Sequence, residues 1–379
     1  MRIGFVSSYP PVECGIATYS RFLTDALRAL HQDVYVVSHI GGVGNQVFPV
    51  FDYEDEDLAH KAFSTMIRFT PDVVHIQHEF GLYGRFYGMQ IIPLILRFRL
   101  TGIPVVTTLH TVYREMEDAH RILLKNIIAN SNEVIVHEHF QKEALLTNIS
   151  GLSEEHIHVI EHGAREMEPI PDAKQKIGLP ANRKVILMIG YFRPSKNFEL
   201  IIRLMPEIIK RNPDAILVVA GKVRGQEYRD YRTKLFKLIE ESPVKDHIFV
   251  IRGQLEQDVF DTILSAADVV VLPYKINSQS GILAHSLSFA RPVVVSESGS
   301  MKEVMKRSGA GLVSKDEKDY VQNITRILQD EKLAKKFSEN AREYVKNQIS
   351  WSISAKKHLQ IYQSLLEEPI LESRTIRVE

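Results

Sequence analysis

Cysteine is almost absent from this chain: Cys14 is the only one. No intrachain disulfide can form, and the composition fits a reducing, cytoplasmic setting. Long apolar runs are missing too. A helix needs about 18–20 apolar residues to span a bilayer, and no stretch here approaches that. The opening MRIGFVSSYP reads as a buried strand rather than a signal peptide, because its apolar run is short and turns polar at Ser7. Neither sign of charge is in excess. Lys plus Arg and Asp plus Glu number 47 each, which argues against nucleic acid as the main partner. No P-loop occurs and no GxGxxG follows the first strand, which disfavours a dinucleotide enzyme. No His/Cys/Asp/Glu set has metal-ligand spacing. His137 and His139 would share one face of a strand, but a pair is a weak signal, so neither a metal nor another cofactor is expected.

What the chain does have is length and alternation. At 379 residues it exceeds one ordinary core, which predicts two domains. Short β-branched runs alternate with amphipathic stretches, the pattern of doubly wound α/β domains with parallel sheets. The clearest segment is 264–304. Its runs DVVVLP and PVVVS are bounded by breakers and suit strands buried on both faces. Between them a polar loop containing NSQSG opens a helix predicted over 281–290. Ligands of open α/β sheets sit beyond the carboxyl ends of the strands. A helix start offers free N–H groups and a favourable dipole to an anion. Asn277, Gln279, Ser280, Gly281 and Ile282 therefore read as a phosphate-facing stretch.

Strands predicted at 3–6, 34–38, 72–75, 104–109, 133–137 and 159–161, with helices at 17–30, 57–69 and 119–131, close a first domain near Gly163. Gly15 and Ile16 stand just before the first helix, where a small residue lets a ligand approach closely; a plain Pro/Gly turn is the alternative. His78 and Glu79 lie beyond the strand at 72–75. His110 ends the strand at 104–109, as a ligand contact or as a capped strand end. Residues 165–183, rich in Pro and charge, read as a linker. The second domain takes strands at 185–189, 215–220, 247–251, 268–273 and 292–296, then helices at 318–329, 331–346 and 352–366. Arg193 and Lys196 lie three apart where 185–189 runs into a helix. Two cations oppose the bare helix dipole there, and they make sense around an anion; a solvated surface pair is the alternative. Gly253 and Gln254 follow another strand and complete the set of elements able to hold a nucleotide diphosphate.

The motifs MRIGFVSSYPP, GIATY, VVTTLHT, GYFRPSKN, VVAGK, AADVVVLP and ARPVVVSESGSMKEV make nearly the whole chain resemble the family 4 retaining glycosyltransferases of the GT-B fold. The resemblance implies two Rossmann-like doubly wound domains facing across a cleft. Residues 1–165 would form the acceptor side and 166–350 the nucleotide-sugar domain, with a Trp-led helix in 351–379 crossing back to the first. It implies metal-free transfer of a hexosyl group, with retention, from a UDP- or GDP-sugar to a hydroxyl of a sugar or lipid-linked glycan. Gly15 and Ile16 match the family's glycine turn by the donor, and Lys196 the lysine that grips its diphosphate. The usual arginine has Tyr191 in its place, with Arg193 as substitute. His110 matches a histidine that contacts the donor sugar, and His78 and Glu79 fall on the acceptor side.

The family's two glutamates, with seven residues between them, correspond here to Asn277 and His285, counted back from Pro292; the intervening SQSG resembles a subgroup that replaces the pair. Asn277 or Gln279 could bond sugar hydroxyls. His285 could bond a ribose hydroxyl or pack inside its helix. Two other readings stay open: a nucleotide-sugar epimerase recruiting His78, Glu79 and His110, and a nucleotide-sugar-binding protein without transferase activity. Arg121 and Lys125 on the otherwise apolar AHRILLKNIIANS fit either peripheral contact with the inner membrane surface or an ordinary amphipathic helix.

Overall fold

The β-branched runs become two all-parallel sheets, one in each of the two units of the computed structural model. The structure describes residues 1–223, 228–253, 255–275 and 280–367; Gln254, Asn277 and Gln279 lie outside them. The first unit joins residues 1–163 to a last helix, Trp351–Glu367. Its strands are β1 (Arg2–Ser7), β2 (Asp33–His39), β3 (Val47–Phe51), β4 (Val73–His78), β5 (Val105–Leu109), β6 (Glu133–Val136) and β7 (Ile157–Val159), in the order β3-β2-β1-β4-β5-β6-β7. The second unit, Ala164–Ser350, holds β8 (Lys184–Tyr191), β9 (Ala215–Lys222), β10 (Ile248–Arg252), β11 (Val269–Leu272), β12 (Val293–Ser296) and β13 (Gly311–Ser314), in the order β10-β9-β8-β11-β12-β13.

Period-2 alternation explains why both faces of these sheets carry helices. Along β8, Val185, Leu187 and Ile189 enter one core while Ile186 and Met188 enter the other, against Phe198, Ile201 and Met205 of helix Phe198–Arg211. Each such aliphatic side chain contributes roughly 1.5–3 kcal/mol when fully buried. A strand apolar on both faces is stable only between two helical layers.

Several boundaries differ from the sequence expectation. The first helix begins at Gly15 rather than at 17, directly after Cys14 in extended backbone. The strand expected at 159–161 is Ile157–Val159, paired with Val134–Val136. β3 was not expected, because its sequence VFPVF carries a central proline. It lies at the sheet edge, where a missing N–H costs no ladder bond. The helix expected over 331–346 ends at Tyr344 and passes into a wider turn, Val345–Ile349, before Trp351 starts the last helix. Trp351 and Tyr362 of that helix are buried in the first unit, Trp351 with its ring 5.1 Å from that of Tyr19.

Candidate active site

Both sheets reverse direction next to their first strand. β1 lies between β2 and β4, and β8 between β9 and β11. The crevice beyond the carboxyl ends at such a switch point is where open α/β sheets hold ligands. Both switch points collect the polar side chains that the sequence singled out.

In the second unit β8 ends at Tyr191. Arg193 leads into a short turn, Pro194–Lys196, and Asn197 in left-handed backbone (φ 55°) starts helix Phe198–Arg211. The Lys196 ammonium sits 3.4 Å from the centre of the Tyr274 ring, a buried residue just beyond β11. The backbone N–H of Lys275 donates to Ser195 O at 2.9 Å and ties the two loops together. The Arg193 guanidinium lies 5.7 Å from the Tyr191 ring, and its buried Nε has no hydrogen-bond partner. Among the described residues neither cation meets a carboxylate; the nearby Glu199 is taken by Lys275 (2.8 Å) and by the Tyr231 hydroxyl. Burial, and then the charge of Arg193, push Lys196 down to about 7. Two neighbouring cations held together without an acid are unfavourable alone and become favourable around a dianion.

Two further edges flank this pair. Ser280 caps helix Gly281–Ser288, its Oγ accepting from Leu283 N at 3.2 Å, which leaves the first N–H groups of that helix directed outward. His285 stands one turn on, edge-on to Phe260 at 5.3 Å. Ile282 faces Gly190: a Cβ built there would lie 3.9 Å from Ile282 Cγ1. Gly253, just after β10, has φ +119° and no atom within 4 Å of a built Cβ, so backbone conformation rather than space requires glycine. Gly221 is the opposite case. A Cβ there would stand 1.9 Å from Gly190 O, so only glycine lets β8 and β9 pack at their carboxyl ends. The sequence reading passed over Tyr274, Gly190 and Gly221 as site elements; VVAGK was the only signal for Gly221.

In the first unit, Gly15 opens helix Gly15–Ala29 with nothing within 4 Å of a built Cβ, and Ile16 is buried beside it. His110 follows β5 and is buried. Its Nε2 lies 2.9 Å from the Gln77 amide and its Nδ1 3.2 Å from His137 Nε2. The Gln77 amide also reaches His75 Nε2 at 3.1 Å, His75 Nδ1 meets the Tyr362 hydroxyl at 2.6 Å, and His137 Nδ1 donates to Ile160 O at 2.9 Å. Burial holds His75 and His110 well below the usual imidazole range, and His137 at about 3. His137 Nδ1 donates to Ile160 O, so a neutral His137 accepts at Nε2 from His110 Nδ1–H. The neutral His110 Nε2 then faces Gln77 Oε1, and the two are matched only with the Gln77 amide turned to donate N–H to His110 and to accept from His75 Nε2–H. Both ring nitrogens of His110 are therefore used inside the unit, and contact with a sugar hydroxyl would require one of these bonds to give way. His78, the last residue of β4, differs. It is fully buried, burial pushes it down to about 3, and neither ring nitrogen has a partner. Glu79 accepts from the Thr111 hydroxyl at 2.6 Å. Among the described residues no group of three or more His, Cys, Asp or Glu could hold a metal ion, and no helix is long and apolar enough to cross a membrane.

Comparison with known proteins meets this geometry from outside. Residues 14–166 match the family model Glycosyltransferase Family 4, and residues 169–344 match Glycosyl transferases group 1. The chain belongs to the family 4, group 1 glycosyltransferases. The two matches divide this glycosyltransferase close to where the structure divides it, at Ala164. An uncharacterized glycosyltransferase of Methanocaldococcus jannaschii is 30% identical over 197 residues, 51% of this chain and 48% of the relative, so the chain spans about half that relative's length. Among solved structures, sucrose-phosphate synthase of Thermosynechococcus elongatus aligns with a TM-score of 0.78 at 18% identity, covering 96% of this chain and 99% of that one. Anabaena HepE in complex with UDP aligns at 0.76 and 14%, covering 96% and 100%. At these identities the likeness concerns the fold, which is GT-B.

Proposed function

We propose that this glycosyltransferase moves a hexosyl group from a UDP- or GDP-sugar to a hydroxyl of a sugar or lipid-linked glycan, with retained configuration and without a metal. The observation that carries the reading is the Lys196–Arg193 pair, half-buried at a switch point with no acid beside it among the described residues. HepE, which shares the fold, is described with UDP and with UDP-glucose, and this supports a nucleotide-sugar donor. In the reaction the acceptor oxygen bonds to the anomeric carbon as the bond from that carbon to the diphosphate breaks. The hydroxyl proton leaves on the diphosphate. The charge that develops on the leaving group is offset by Lys196, by Arg193 and by the helix N–H groups after Ser280. Pre-aimed donors of this kind are each worth roughly 3–4 kcal/mol. Gly15 and Ile16 let the donor approach the helix start, and Gly253 and Gln254 border it. Asn277 and His285 occupy the sequence positions of the family's acidic pair; Asn277 or Gln279 takes sugar hydroxyls and His285 a ribose hydroxyl. His78 and Glu79 serve the acceptor.

Lys196→Ala should lower turnover about 100-fold or more at saturating donor; an unchanged rate would remove the lysine from the mechanism. The Asn277 and His285 substitutions favour one second reading, binding of the nucleotide sugar without transfer. Nucleotide binding combined with no turnover over a broad acceptor panel would establish it.

A further inference from the structure

The first unit carries a group of rings that the donor chemistry leaves unused. Phe80 follows Glu79 directly beyond β4. Its ring is parallel to that of Tyr113, with an interplanar angle of 6° and centroids 6.2 Å apart. It meets His120 at 4.6 Å and Tyr87 at 6.2 Å, and His120 in turn meets Tyr87 at 4.8 Å and Tyr113 at 5.3 Å. The four rings come from three separate segments: the stretch beyond β4, the loop after β5, and the first turn of helix Asp118–Asn130. They are not core, since Tyr87 is 44% and Tyr113 36% exposed.

Three observations mark this cluster as a ligand surface. The backbone that delivers Tyr87 is strained: Phe86 and Tyr87 are consecutive non-glycine residues in left-handed conformation, at φ 55° and 60°, between Gly84 and Gly88. Such strain gathers at ligand clamps, and here it presents Phe86 and Tyr87 to solvent instead of burying them. Next, His78 meets the Phe80 ring edge-on at 5.3 Å, is fully buried, and has no partner for either ring nitrogen. Buried imidazoles are otherwise hydrogen-bonded. Finally, the Glu79 carboxylate, bonded by Thr111, adjoins Phe80 and supplies a polar acceptor at the cluster's edge.

Aromatic faces beside a few convergent polar groups are the usual lining of a small-molecule site. A pyranose fits this lining. Its C–H face carries partial positive charge and meets the negative face of an aromatic ring, while its hydroxyl edge takes hydrogen bonds. A lipid surface would satisfy the exposed rings but not the buried imidazole. We infer that Phe80, Tyr87, Tyr113 and His120 form a stacking platform for the acceptor saccharide, with His78 and Glu79 bonding its hydroxyls. This rests on the transferase reading above, which placed only His78 and Glu79 on the acceptor side.

The test uses the whole chain and saturation-transfer NMR. The probes are the methyl pyranosides of glucose, mannose, galactose and N-acetylglucosamine, with sorbitol as the acyclic control, in the presence of whichever of UDP and GDP stabilises the protein in a melt. The expected result is transfer to the C–H protons of at least one pyranoside and none to sorbitol. Tyr87→Ala and Tyr113→Ala should each weaken that binding about three- to tenfold and leave the nucleotide-induced melting shift unchanged. A normal nucleotide shift with no pyranoside transfer would overturn the platform and leave the transferase reading standing. A missing nucleotide shift would strike the transferase reading itself, and the platform with it. Sedimentation with phosphatidylglycerol vesicles that depends on Tyr87, without pyranoside transfer, would assign the face to a membrane and overturn the inference.

Discussion

If Lys196 meets the donor diphosphate, donor affinity must fall as pH rises through 7. In the unliganded protein burial and Arg193 hold Lys196 at about 7, so at pH 8 most of it is neutral. A bound diphosphate restores the charged form and raises its pKa, so binding takes up a proton. The sign follows: affinity is at full strength below pH 7 and declines above it. One pKa unit corresponds to 1.36 kcal/mol. The dissociation constant should therefore rise about tenfold from pH 6 to pH 8 and about 100-fold by pH 9. UDP-glucose and GDP-mannose suit the assay because neither carries a phosphate titrating near neutrality. Isothermal titration in buffers of different ionisation enthalpy should show uptake of about half a proton at pH 7. Lys196→Arg should flatten the profile, because a guanidinium stays charged. Arg193→Gln should move the decline to higher pH by removing the neighbouring charge. Full-strength binding with a flat profile from pH 6 to 9 would refute the placement of Lys196 against the diphosphate.

Lys196→Met should raise the melting temperature of the unliganded protein at pH 6 by about 2–4 °C, the shift that about 1 kcal/mol gives a domain of this size, while abolishing the nucleotide-induced shift; calorimetry checks both. Gly15→Val should leave the melting temperature within about 1 °C, since no atom lies within 4 Å of a built Cβ, but weaken donor binding about tenfold or more by blocking the helix start; a titration with unchanged affinity would clear Gly15 of that role. The buried histidines predict acid sensitivity. His137 is held at about 3 and His162 and His358 at about 4, below the unfolded value near 6.5. Stability should be level above that value and fall below it by up to about 1.4 kcal/mol per pH unit for each group, down to its folded pKa. Melts from pH 7.5 to 4.5 measure the slope, and His358→Leu should lessen it.

The strands were legible wherever β-branched residues ran uninterrupted, as in β11 and β12, because a strand buried on both faces leaves no other reading. β3 was hidden by Pro49, which is tolerated only because the strand is an edge. Arg193 and Lys196 could be read because one loop carries both. Tyr274, which lies under Lys196, could not, because the pairing of β8 with β11 brings it there. The His75–Gln77–His110–His137 chain likewise depends on the registers of β4, β5 and β6, and its end at Tyr362 on the docking of the last helix. His110 was legible as a strand-end histidine, but its two ring partners were not. The ring cluster around Phe80 gathers distant segments, and its strained backbone at Phe86 and Tyr87 leaves no mark in composition.

The central claim is that the chain holds a nucleotide diphosphate sugar on Lys196 and Arg193. The most direct measurement is a ligand-shift melt against UDP, GDP, ADP and their hexose conjugates, with and without Mg²⁺, on the natural chain and on Lys196→Ala. A ligand at 100 times its dissociation constant stabilises by about 2.7 kcal/mol, which a melt resolves. The account predicts that one nucleotide and its sugar conjugate shift the natural chain without needing metal, and that the shift is lost in Lys196→Ala. No shift with any of these ligands, or an equal shift in the variant, would contradict it.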